Sequence, residues 1–146
     1  MSSIRFFSEE IDFSVPHPRK TSAWIKAIIR KERRPVSEIN YIFCTDKYLL
    51  KLNTAFLNHA TLTDIITFDN SNKSGTIEAE IYISIERVSE NADKFKVPFE
   101  EELHRVIIHG VLHLLGYKDK KPAEKARMRK KEEACLSLLK EVSRGT

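Results

Sequence analysis

Residues 107–119 read IIHGVLHLLGYKD, and no other stretch limits the chain so tightly. Up to Leu115 it is Val, Ile and Leu apart from Gly110 and two histidines four positions apart, His109 and His113. At about 3.6 residues per turn, that spacing stacks both rings on one face of a helix. A helix apolar on nearly all sides has no solubility reason to carry His109 and His113, so two imidazoles reaching one ion is the chemistry it suggests. Gly116 supplies the break, because glycine takes the left-handed conformation that ends helices. The chain then turns at Gly116 and Tyr117 and carries Lys118 and Asp119 back towards the rings. A zinc-type metal needs a further N, O or S donor beyond two imidazoles. Asp119 is the expected one, since the Lys118 ammonium has no free lone pair at neutral pH. Two core histidines at this spacing by chance are the plainer reading; the glycine turn with a carboxylate directly after it favours the metal.

The protease motif HExxH places a glutamate beside the first histidine to deprotonate metal-bound water. Gly110 stands there in this chain, so a peptidase of that type lacks its base. Attack by metal-bound hydroxide is the alternative, because bound zinc lowers the pKa of water to about 7.

Around this helix the signals alternate between strand and helix. Residues 4–13 mix apolar and acidic side chains in near alternation, which suggests an edge strand or hairpin arm. Pro16 and Pro18 interrupt any regular element, with His17 expected at the surface. Thr21 or Ser22 then caps a helix carrying Trp24, Ile25, Ile28 and Ile29 on one side, and Pro35 ends it. Residues 38–44, EINYIFC, alternate and are rich in β-branched and aromatic types, hence a strand. Asp46 caps the next helix, with Leu49, Leu50, Leu52, Phe56 and Leu57 as its apolar stripe. Strands follow at 64–69 and 78–84, neighbours in one sheet, with turn chemistry at 70–75 between them. Residues 85–95 are helical. The central helix runs from Phe99 or Glu100 to Leu115, with Glu100, Glu101 and Glu102 at its positive end. His104 lies about 140 degrees round from His109 and is not expected to join a metal. Pro122 opens a last helix to about Val142, with Met128, Ala134, Cys135, Leu138 and Leu139 inside. This order gives an α+β fold, one domain over residues 1–146, with a small mixed four-stranded sheet and about five helices.

HGVLHLLGYKD resembles the signature HGxLHLxGYDH of the YbeY family, bacterial metal-dependent endoribonucleases of ribosomal RNA maturation. A second block, LNTAFLNHATLTDIITF at 52–68, is similar to the family's LNxxxRxxDxxTDVLSF, and IEAEIYIS at 77–84 resembles the strand after it. The likeness covers most of residues 46–128. Where the family pattern has Asp then His, this chain has Lys118 then Asp119, so the resemblance puts the third ligand on Asp119. Leu57 stands where the family often has Arg, leaving Lys118 and His59 as candidates for a cation beside the phosphate. Asp64 orients a ligand or caps a turn. The resemblance implies a single-strand-specific, metal-dependent endoribonuclease acting in 3′-end maturation of ribosomal RNA and in ribosome quality control. It implies one zinc ion per chain, or another divalent metal given Asp119, held by His109, His113 and Asp119. Its partner would be ribosomal RNA or the small ribosomal subunit, with neither DNA nor a membrane expected. A ribosome-assembly or RNA-binding factor without catalysis is the alternative, and a metallopeptidase a more distant one.

Composition agrees. Apolar residues at 41% and charged ones at 32% are ordinary for a globular chain and exclude a disordered one. Lys and Arg exceed Asp and Glu by 25 to 21, a formal charge of +4 that fits an RNA-facing protein. Lys125, Arg127, Arg129, Lys130 and Lys131 form a basic band on the last helix, next to the expected metal. Cys44 and Cys135 lie in different elements and indicate no disulfide framework, so a reducing cytoplasm is expected. No apolar run reaches the roughly 18 residues of a membrane span, and the amino terminus lacks the apolar stretch of a secretory signal.

Overall fold

The computed structural model describes residues 3–57, 63–71 and 75–144. Strands β1 (Ser3–Ser8), β2 (Val36–Cys44), β3 (Ile65–Asp69) and β4 (Ile77–Ser84) form one sheet in the order β1-β2-β4-β3. The β1/β2 and β2/β4 pairs are parallel and the β3/β4 pair antiparallel, so the sheet is mixed, as expected. Helices α1 (Pro18–Lys31), α2 (Asp46–Leu57), α3 (Ile85–Phe95), α4 (Phe99–Leu114) and α5 (Pro122–Arg144) complete an α+β domain.

Strand alternation explains where the core lies. Ile39, Tyr41 and Phe43 of β2 and Ile77, Ala79, Ile81 and Ile83 of β4 are all buried and share one face. The apolar side of α4 packs on that face, with Leu103, Ile107, Ile108, Val111 and Leu112 fully shielded from solvent. Two features fix its depth. The buried Tyr41 hydroxyl donates to the Ile107 carbonyl at 3.0 Å, and a Cβ on Gly110 would stand only 3.0 Å from Ile65 Cδ1 and 3.2 Å from Ile81 Cδ1. Position 110 therefore has room for little beyond a methyl group. Trp24 then joins α1 to α5, its indole N–H donating to the Cys135 carbonyl at 2.8 Å.

Several local expectations are corrected. Helix α1 begins at Pro18, not after Thr21 or Ser22. Proline's fixed φ suits the first helical position, whose missing N–H costs nothing. Thr21 lies in the first turn and its hydroxyl donates to the His17 carbonyl at 3.0 Å. The cap of α2 is Thr45, whose hydroxyl accepts the Tyr48 N–H at 3.1 Å. The Asp46 carboxylate instead holds the Ser84 hydroxyl at 2.7 Å and the Arg87 guanidinium at 2.8 Å. Strand β1 stops at Ser8 and pairs in parallel, so it is an edge strand and no hairpin arm. Phe56, assigned to an apolar stripe, is 68% exposed. On α5, Ala134 faces solvent while Glu132 and Leu136 take the inner positions beside Met128, Cys135 and Leu139. Among the described residues no helix is long and apolar enough to cross a membrane.

His104 packs edge-on against Trp24, ring centroids 5.7 Å apart. Burial there lowers its pKa below the ordinary 6.5, with Glu100 opposing and His17 adding to the shift. Folded chain therefore binds this proton less readily than unfolded chain, and stability is lost as pH falls from 6.5 through the lowered folded value. Urea melts of wild type and His104→Gln between about pH 8 and about pH 5 test this. The wild-type curve should fall more steeply with acid; parallel curves would disprove it.

Candidate metal centre

The turn after α4 forms as glycine allows. Gly116 adopts φ +103, its N–H donates to the His113 carbonyl at 3.0 Å, and the Tyr117 N–H donates to the Leu112 carbonyl at 3.0 Å. These two bonds make a Schellman ending, which reverses the chain over the last turn of α4. Asp119 is thereby returned to the helix, its Oδ2 3.2 Å from His109 Nε2.

The other ring nitrogen of His109 is engaged from α5: Nδ1 lies 2.7 Å from Glu132 Oε2. Glu132 is only 6% exposed. Its second oxygen meets Arg105 Nη1 at 3.3 Å, and Arg105 reaches on to Glu133 at 2.7 Å and towards Glu102 at 3.9 Å. Burial pulls the His109 pKa down, but the Glu132 hydrogen bond and the charges of Glu132, Asp119 and Asp64 outweigh it and hold the pKa above the usual imidazole value. Asp64 shows the reverse, its pKa raised by burial against the attraction of His109. Positive charge at His109 is thus favoured from three sides.

His109 and Asp119 meet as expected. His113 follows one turn later on α4 with an exposed ring. Among the described residues no three donors form a ready-made cluster. Lys118 is exposed and lines a groove with Glu32, Tyr117, Glu124 and Arg127. His59 lies outside the described residues. The donor chemistry fits a zinc-type ion: with bonds of about 2.0–2.1 Å to N and O, the edge of a tetrahedral shell is about 3.3 Å. The His109–Asp119 separation of 3.2 Å is compatible with that edge and is also the length of an ion pair.

Glu132, Arg105 and Glu102 were not foreseen. One signal existed, a charged residue at 132 in register with the apolar positions 128, 135, 136 and 139 of α5.

A sequence model described as Endoribonuclease YbeY matches residues 6–140. The Endoribonuclease YbeY of Flavobacterium psychrophilum is 55% identical over 132 residues, 90% of this chain and 94% of that protein. The one from Cytophaga hutchinsonii is 49% identical over 138 residues, covering 94% of this chain and 96% of its own length. The solution structure of a Thermotoga maritima protein aligns with a TM-score of 0.70 at 28% identity, over 98% of this chain and 93% of that one.

Proposed function

Since the chain belongs to the YbeY endoribonuclease family, we propose that it is a metal-dependent endoribonuclease that cuts single-stranded RNA. Its substrate is ribosomal RNA, at 3′-end maturation and in ribosome quality control, and its setting is the cytoplasm beside the small ribosomal subunit. His109, His113 and Asp119 hold the ion. When bound, a zinc-type ion supplies Lewis acidity towards a phosphodiester and a water acidified to a pKa of about 7.

The observation that carries this reading is the His109–Asp119 pair, a ring nitrogen and a carboxylate oxygen 3.2 Å apart on a family signature. His113 supplies the remaining donor from the same helix face, where it is exposed. RNA is held by cations. Lys125, Arg127, Arg129 and Lys130 of α5 are exposed, and phosphate contacts of this kind position a strand without reading its sequence. Arg127 and Lys131 also lie over the Tyr117 ring, 5.4 and 5.9 Å from its centroid. Lys118, and His59 outside the described residues, are the cations offered to the scissile phosphate.

The second reading is an RNA-binding assembly factor without catalysis. One experiment separates the two. Purified protein is assayed for metal content and for cleavage of single-stranded RNA, before and after chelation and after zinc is returned. The nuclease reading expects cleavage that chelation abolishes and zinc restores. RNA binding with no cleavage in any state would establish the second.

A further inference from the structure

We propose that Glu132 is a positioning residue for the metal: by accepting the Nδ1–H of His109 it fixes the ring's tautomer and orientation, leaving the Nε2 lone pair for an ion shared with Asp119. This rests on the metal reading of the site.

A carboxylate at 132 is expensive. It is 6% exposed and shares its helix face with Met128, Cys135 and Leu136, where a leucine would satisfy the core without desolvating a charge. Arg105 alone does not explain it. That guanidinium is 3.3 Å from Glu132 Oε1 but closer, at 2.7 Å, to the exposed Glu133. The shortest contact of Glu132 is to His109, at 2.7 Å through Oε2. A neutral imidazole carries one N–H, and two carboxylates compete for it: Glu132, 2.7 Å from Nδ1, is closer than Asp119, 3.2 Å from Nε2, so the proton goes to Nδ1 and Nε2 is left unprotonated. Metal-binding histidines are commonly oriented this way, through a carboxylate on the nitrogen that faces away from the ion. The bond also makes the site depend on the docking of α5, 23 residues along the chain.

The test reads tautomers in metal-free protein by long-range 15N–1H NMR of the imidazoles, at a pH high enough that every ring is neutral. Wild-type His109 should show the Nδ1–H form. Glu132→Leu should release it to the Nε2–H form that imidazole prefers in water, and zinc affinity should fall about 10- to 100-fold. Arg105→Leu is the companion variant. It breaks the ion pair but leaves the Glu132–His109 bond, so it should alter the melting temperature while keeping the tautomer and zinc affinity near wild type. A wild-type His109 already in the Nε2–H form overturns the proposal even if Glu132→Leu does not fold; so does an unchanged tautomer in that variant. If wild type shows the Nδ1–H form but binds no zinc, the metal reading fails while the orienting contact stands.

Discussion

Gly110→Glu, the one substitution that would complete HExxH on α4, should unfold the chain instead of creating a peptidase. The new Cβ would meet Ile65 Cδ1 at 3.0 Å and Ile81 Cδ1 and Cγ2 at 3.2 and 3.3 Å. Those isoleucine ends can yield a few tenths of an ångström to a methyl group. They cannot admit two further carbons and a carboxylate. Overpacking a core in this way costs about 1–3 kcal/mol, and burying an unpaired carboxylate adds several kcal/mol. Their sum, about 4 kcal/mol or more, approaches the whole stability of a typical domain. Gly110→Ala differs, since a gain of about 1 kcal/mol in helix propensity offsets a single tight contact. Denaturant melts should show Ala within about 1 kcal/mol of wild type and no cooperative transition for Glu. A folded Gly110→Glu chain of wild-type stability would mean that α4 does not lie on the sheet at this point. Position 110 faces the sheet, so a glutamate there would point into the core.

What was legible in the sequence was local. Strands β2 and β4 announce themselves by alternation, and α4 by an apolar run closed by Gly116, because side-chain period and a left-handed glycine are properties of a few adjacent residues. The return of Asp119 to His109 follows from the same turn. Where neighbours compete, reading fails. Pro18 serves equally as a breaker or as a first helical residue, and Thr45 and Asp46 are both good caps. Only the demand of Ser84 and Arg87 on the Asp46 carboxylate leaves the capping to Thr45. The inner face of α5 is decided by α1 and α4, which turn Leu136 in and Ala134 out. Glu132 belongs to this class: its partner is 23 residues away, and only its register with the apolar positions of α5 separates it from Glu133. Helix periodicity likewise puts His109 and His113 on one face but does not set their rotamers.

That difference between the two histidines makes His113→Ala the sharper probe of the site. His109 is tied into the buried charges of α4 and α5, so its removal would strip Glu132 of its closest partner and mix loss of stability with loss of function. His113 is exposed near the end of α4. Trimming an exposed side chain without a cap or a core contact to lose changes stability by no more than about 0.5 kcal/mol. Alanine is moreover the better helix former. If His113 is a ligand, two protein donors remain where a catalytic zinc site uses about three. Removing a group that merely orients a ligand already costs about 10- to 100-fold, so RNA cleavage should fall by more than about 100-fold and bound zinc with it. The measurement is a thermal melt, a metal assay and a cleavage assay on one preparation. An unchanged melt with metal and cleavage both lost is the expected outcome. Cleavage that survives at the wild-type rate would remove His113 from the ligand set and leave His109 and Asp119 without the third donor the nuclease reading requires.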